Sequence, residues 1–234
     1  MTTKNYLIVG GSSGIGLSIS EKLSAQNHNV YVMSRTEGGL VSLPAVQHIP
    51  VDVVQDEIST DDLPEHLDGV VYCPGSINLK PFRSLKPEAF RADFEINVIG
   101  AIKVLQAVNR KLKKAEQAAV VLFSTVAVGQ GMAFHTSVAA AKGAIEGLTK
   151  SLAAEMAPKV RVNCIAPSLT DTPLASKLLS SPEKKEASDK RHPLKRIGTP
   201  NDIASLTTFL LSDDASWISG QIIGADGGMS TLRV

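Results

Sequence analysis

The sequence predicts an α/β fold, a doubly wound parallel sheet of seven strands with helices on both faces. Three observations carry this. A glycine-rich turn, Val9-Gly10-Gly11-Ser12-Ser13-Gly14-Ile15-Gly16, stands between a short apolar run and a run with helical spacing. Apolar, β-prone runs then alternate with amphipathic ones along the chain. No repeat, low-complexity stretch or linker interrupts the 234 residues, a length that suits one substantial core. The expectation is one domain, 1–234.

In chain order, residues 6–9 are apolar and β-prone, and Ile15, Ile19 and Leu23 recur at helical spacing, so strand and helix flank the glycine turn. Further strands are expected at 30–34, 46–51, 69–73, 119–124, 161–166 and 221–225. Helices are expected at 15–26, 87–115, 137–156 and 200–211. Thr199, Pro200 and Asp202 open the last of these as a cap residue, a first-turn proline and a third-position acid. Residues 36–45 are too short and glycine-rich for a crossover helix and are read as a turn or a single helical turn.

Charge and composition exclude several function classes. A formal net charge of +1 gives no case for nucleic acid or an anionic membrane as partner. The basic clusters at 110–114 and 184–196 read as solvated faces. No apolar run approaches the roughly 18 residues of a membrane span and no apolar signal segment is seen, so a cytoplasmic protein is expected. Cys73 and Cys164 lie far apart in apolar runs, which suits buried thiols better than a disulfide, and no ligand spacing supports a metal site.

The glycine turn has the form of a phosphate cradle. Glycines allow the sharp turn that brings backbone N–H groups against a pyrophosphate, and the following helix N-terminus favours its charge. About twenty residues past the last glycine, where such folds read the adenosine ribose, stands Arg35 after Ser34. An acid there would repel a 2′-phosphate, whereas a guanidinium can hold it. NADP(H) is therefore expected over NAD(H), with Glu37 two residues on as the alternative acid.

At this point the chain resembles the short-chain dehydrogenase/reductase family over nearly its whole length, which places it among Rossmann-type folds. Gly10 to Gly16 is similar to the family's Thr-Gly-x-x-x-Gly-x-Gly turn, with Gly10 in place of threonine. Asp52-Val53 matches the acid and apolar pair that holds the adenine. Asn97, in Ile96-Asn97-Val98-Ile99-Gly100, matches the mid-helix asparagine, and Lys142, in Ala141-Lys142-Gly143-Ala144, the family lysine. Arg161 to Pro167 resembles the sixth strand and its proline, with Ser168 for the usual glycine and Thr172 at the nearby threonine position. The tail from Leu210 to Gly228 closes the pattern. The resemblance implies cofactor contacts at Gly10, Ser12, Ser13, Gly14, Ile15, Ser34, Arg35, Asp52 and Val53. It implies others at Cys73, Pro74, Gly75, Asn97, Lys142, Pro167, Ser168, Thr170 and Thr172. It also implies a homotetramer or dimer through the helices 87–115 and 137–156, and a substrate lid at about 170–198.

Two departures stand out. The family's Asn-Asn-Ala-Gly becomes Tyr72-Cys73-Pro74-Gly75, and its Tyr-x-x-x-Lys becomes Val138-Ala139-Ala140-Ala141-Lys142. In the family's mechanism the tyrosine hydroxyl transfers the proton at the substrate oxygen, the lysine lowers that hydroxyl's pKa and binds the nicotinamide ribose, and a serine hydrogen-bonds the oxygen. The serine's place falls at Thr125, with Ser124 before it. Valine donates nothing, and His135, one helical turn before Val138, is read as the replacement donor, with Tyr72 as the weaker candidate. The catalytic set is thus Asn97, Ser124, Thr125, His135 and Lys142. Met132 and Phe134 are expected to line a pocket or the core. In the lid, Leu174, Leu178 and Leu179 suggest the inner face of a helix from about 172. His192 and Arg196 are read as solvated rather than as substrate contacts. The expected function is an NADP(H)-dependent oxidoreductase on a small carbonyl or alcohol. The alternative is a catalytically silent relative with a regulatory or assembly role, and a lyase or isomerase reaction is a third reading.

Overall fold

Seven strands pair in parallel in the order β3-β2-β1-β4-β5-β6-β7: β1 (Asn5–Val9), β2 (Asn29–Ser34), β3 (Val46–Pro50), β4 (Gly69–Tyr72), β5 (Ala118–Phe123), β6 (Val160–Pro167) and β7 (Ile222–Ala225). This computed structural model describes residues 2–43 and 45–233. Met1 and Val234, the ends of the expected 1–234 domain, and Pro44, in the expected 36–45 turn, lie outside the described residues. The central strands β4 and β5 are buried along their whole length, as strands covered on both faces must be. Register follows the apolar runs, with Ile8 beside both Val32 of β2 and Val71 of β4.

Alternation along β1 divides the core in two. Leu7 and Val9 face the layer that holds α3 (Gly100–Lys114) and α5 (Thr136–Met156), while Tyr6 and Ile8 face α1 (Gly14–Ala25) and α7 (Pro200–Leu211). The helices expected at 15–26, 137–156 and 200–211 are present. A 3-10 turn, Gly38–Ser42, links β2 and β3. At α7 the expected capping box forms: Thr199 and Asp202 bond reciprocally and Pro200 takes the first turn.

The helix expected at 87–115 is not one regular helix. It runs as α2 (Pro87–Phe94), a π turn (Glu95–Ile99) and α3. The wider turn frees carbonyls, and side chains satisfy them: Asn97 Nδ2 donates to the Asp93 carbonyl at 2.8 Å and Tyr72 Oη to the Ile96 carbonyl at 2.6 Å. Gly100 makes room, since a Cβ there would overlap the Tyr72 hydroxyl. A short helix, α4 (Val126–Gln130), was not expected. Its N-cap Thr125 accepts from the Ala127 N–H at 3.3 Å.

Residues 170–198 leave the sheet and return, closed by a bridge between Thr170 and Gly198. The helix expected from about 172 is only a 3-10 turn, Pro173–Ala175, and α6 (Pro182–Arg191) lies further on. Proline at 173 suits a first turn, but the chain bends before a second turn can form.

Candidate functional site

The sheet's strand order reverses between β1 and β4, and there the crevice at the strands' carboxyl ends opens, as in other doubly wound folds. The glycine turn lies on one side of it. Gly14 has φ +52°, a left-handed conformation that favours glycine, and a Cβ on Gly16 would overlap the Gly10 carbonyl oxygen. Ser13 is the N-cap of α1 but makes no side-chain cap bond, so the helix's first N–H groups remain open to an anion, as a pyrophosphate needs. Ser12 is half-buried and its carbonyl accepts from the Gly39 N–H at 3.0 Å. Pro74 packs over Gly10, 3.1 Å from where a Cβ would sit.

Beyond the turn a cleft of about 600 Å³ runs along the strand ends. It takes in Ile15, Cys73 and Gly75, then Ser124, Thr125, His135 and Lys142, then Pro167, Ser168, Thr170 and Thr172. Val138, Met132 and Phe134 line it too. Gly14 stays in touch with the cleft through Thr172, whose side chain lies 3.4 Å from its ideal Cβ position.

Lys142 and Asn97 converge on Gly75. An ideal Cβ at Gly75 would lie 3.1 Å from Asn97 Oδ1 and 3.4 Å from Lys142 Nζ. The lysine donates one bond to the Phe123 carbonyl at 2.8 Å, and burial lowers its pKa to about 8. Asn97 is fully buried and its Oδ1 has no hydrogen-bond partner among the described residues. An unfilled acceptor beside an ammonium group, on the open face of a glycine, fits a ribose hydroxyl or a water.

The hydroxyls differ in what they have left to give. Ser124 Oγ donates to Glu146 Oε1 at 2.6 Å, so its proton is engaged. Thr125 only accepts, and its own O–H stays free. His135 is half-buried, with Nδ1 2.7 Å from the Ala133 carbonyl, which leaves Nε2 unengaged. Tyr72 is removed as a donor: its hydroxyl points into the core at Ile96, and burial raises its pKa.

Other expectations change as well. Ser34 is buried, donating to the Thr36 carbonyl at 2.9 Å and lying 3.1 Å from His48 Nε2, so its hydroxyl is spent within the turn. Arg35 beside it is exposed. Val53 is buried in the core and Asp52 Oδ1 accepts from the Val54 N–H at 2.9 Å. His192 is not solvated but buried, with Nε2 2.9 Å from Ser168 Oγ and Nδ1 2.8 Å from the Ser188 carbonyl. Ser168 Oγ also lies 3.1 Å from Met229 Sδ. Arg196 forks onto Asp202 at 2.6 and 2.9 Å, outside the large cleft. Cys164 is buried and Cys73 half-buried, and burial pushes each thiol up to about 12.

Three side chains escaped the sequence reading. Ser76 Oγ donates to Asp93 Oδ1 at 2.6 Å and accepts from Asn97 Nδ2 at 3.0 Å, which fixes the amide's orientation. Asp93 lies four residues before Asn97, and Glu146 four after Lys142, a helical spacing that could have flagged both. Among the described residues no three His, Cys, Asp or Glu side chains are grouped as a metal would require, and no helix is long and apolar enough to cross a membrane.

Comparison with known proteins agrees with this geometry. The family model described as enoyl-(acyl carrier protein) reductase matches residues 9–230. L-xylulose reductase from Bos taurus is 33% identical over 233 residues, covering 96% of each chain. A short-chain type dehydrogenase/reductase from Mycobacterium ulcerans superposes with TM-score 0.91 at 30% identity, covering 100% of this chain and 92% of that one. A solved structure of an ElxO variant with NADPH bound gives TM-score 0.90 at 25% identity, covering 99% of this chain and 100% of that one. A parallel sheet with a glycine cradle at its switch point, an asparagine and a lysine meeting at Gly75, and matches along almost the whole sequence have one common explanation: the chain belongs to the short-chain dehydrogenase/reductase family of oxidoreductases.

Proposed function

We propose that this chain is an NADP(H)-dependent oxidoreductase acting on a small carbonyl or alcohol, with a proton donor other than the residue at position 138. The observation that carries the reading is the convergence of Asn97 Oδ1 and Lys142 Nζ on the open face of Gly75. Bound NADP(H) would supply or accept a hydride. Lys142 and the N-terminus of α1 hold that group, and Thr125, with its proton free, binds the substrate oxygen. In its doubly protonated form His135 donates from Nε2. Segment 170–198 serves as the lid of one domain, excluding water from the cleft.

Cofactor choice rests on Arg35, an exposed guanidinium at the end of β2 with no carboxylate in salt-bridge reach among the described residues. NADPH is expected to bind more tightly than NADH, and Arg35→Asp to weaken NADPH by about 10- to 100-fold, the worth of a charge-assisted bond. Fluorescence titration with both cofactors checks this; equal affinities in the unaltered chain would remove the claim. The proton donor is tested by turnover on a panel of ketones, aldehydes and alcohols. His135→Ala is expected to lower turnover about 10²- to 10⁴-fold, and full activity would eliminate it. Val138→Tyr, assayed alongside, separates a degraded ancestral site, which it would stimulate, from one where valine makes room for substrate.

Val138 is itself the observation behind a second reading, a catalytically silent NADP(H)-binding relative. Intact NADPH binding with no turnover on any substrate would favour it. We propose a cytoplasmic homo-oligomer in either case, with contacts through the outer faces of α2, the π turn, α3 and α5, where Phe94, Ile99 and Ala140 are exposed.

A further inference from the structure

Among the described residues no acid lines the large cleft. Its charged or chargeable nitrogen side chains are His135, Lys142, Arg191 and His192, and neither an aspartate nor a glutamate joins them. Lys142 is committed to the Phe123 carbonyl and the Gly75 face, and both ring nitrogens of His192 are engaged. Arg191, the last residue of α6, is not. Its only side-chain hydrogen bond among the described residues runs to the Ser188 hydroxyl at 3.1 Å, and no carboxylate there lies within salt-bridge distance. The other basic residues of that excursion are often paired: Lys185 with Asp171, Lys190 with Glu186 and Arg196 with Asp202. Arg191 alone combines a free charge with a place in the cleft wall.

The rest of that wall is apolar. Ile77, Leu79, Phe134, Leu174, Leu178 and Met229 line it, and Ile77, Phe134 and Leu174 remain 40%, 54% and 53% exposed. Phe134 is held at φ +68°, where a bulky residue rarely sits, with the Lys80 N–H donating to its carbonyl at 3.2 Å. That conformation keeps an aromatic ring at the cleft's mouth. Val138 extends the same surface.

We propose that the substrate is an apolar carbonyl compound or alcohol that also carries a carboxylate, its body lying against Phe134, Leu174 and Leu178 and its anionic end meeting Arg191. The proposal rests on the oxidoreductase reading of the same cleft and deepens it. An apolar body gains from burial against these side chains, and a carboxylate from the one unpaired guanidinium in a wall without acids.

The test uses octanoate, 1-octanol and octylamine, which share one chain and differ in the charge of the head group. Each is titrated by calorimetry into the 234-residue chain, alone and saturated with NADP⁺, after NADP⁺ affinity has been measured separately. Octanoate is expected to bind about tenfold more tightly than the other two. Arg191→Gln should weaken octanoate by about fivefold while leaving 1-octanol and NADP⁺ unchanged, and Phe134→Ala should weaken octanoate and 1-octanol alike. Equal affinity for the three compounds, no binding of octanoate, or an octanoate affinity indifferent to Arg191→Gln overturns the proposal. Loss of NADP⁺ binding in the unaltered chain defeats the oxidoreductase reading instead, and the titrations without cofactor still decide whether the cleft selects an apolar anion.

Discussion

Replacing Lys142 with methionine is expected to lower turnover by about 10²- to 10⁴-fold, the range lost with a positioned polar group of the reacting centre. Methionine keeps the length and loses the charge, so the proposed ribose contact and the bond to the Phe123 carbonyl both go. A second consequence can be read without any substrate. Burial lowers the lysine's pKa from 10.5 to about 8, so between those values this side chain binds more protons in the unfolded chain than in the folded one. The lysine's own contribution to stability must then rise with pH across that window. Below about pH 8 the full penalty of the buried ammonium is present; by about pH 10.5 it is relieved, a change of about 3 kcal/mol. Urea titrations of the unaltered chain and Lys142→Met at stepped pH should show this rise in their difference, where the titration of buried tyrosines and thiols cancels. A difference that is flat from pH 7 to 10.5 would show that the ammonium is better solvated than its position implies.

Gly16→Ala is expected to destabilise the chain by about 3 kcal/mol or more, because the added methyl would occupy the space of the Gly10 carbonyl oxygen. Neither partner can yield easily: one is the backbone of the turn and the other the first turn of α1. NADPH binding should disappear with it, since the same turn aims the N–H groups. Gly129→Ala is the control. Gly129 lies in α4 with nothing within 4 Å of its ideal Cβ, so alanine there should leave stability unchanged or raise it by up to about 1 kcal/mol. Thermal and urea unfolding of both variants decide the matter. Equal stability for the two would mean that the glycine turn tolerates a wider opening than its geometry suggests.

What could be read from the sequence was local or periodic. The start of α7 is set by Thr199 as its cap and by Pro200 and Asp202 in its first turn, and a cap is visible wherever those residues stand together. Strands were visible because apolar runs of β-prone residues stop at turn residues. The π turn was invisible because its cause is tertiary: it needs Tyr72, from a strand 24 residues away, to satisfy the Ile96 carbonyl. The cradle and the lysine were legible as spacings. The engagement of Ser124 by Glu146, and of Ser76 by Asp93, depends on where two helices come to rest against the strand ends, and spacing along one element says nothing of that. His192 illustrates the same limit, since a polar segment rich in lysine and glutamate gave no sign that one of its rings would be buried against Ser168.

The bridge between Thr170 and Gly198 brings the two ends of the excursion side by side, with Asp171 N–H on the Gly198 carbonyl and Gly198 N–H on the Leu169 carbonyl at 2.9 and 3.0 Å. Its two ends are therefore joined locally, and the entropy of closing such a loop changes only slowly with its length. The segment is a side wall with footholds: Thr172 reaches Gly14 and His192 reaches Ser168, so any rewriting of its interior has to keep those two contacts. Leu174 and Leu178 stand between those footholds and line the cleft, so the cleft's shape can be retuned there while the sheet and the glycine turn stay as they are.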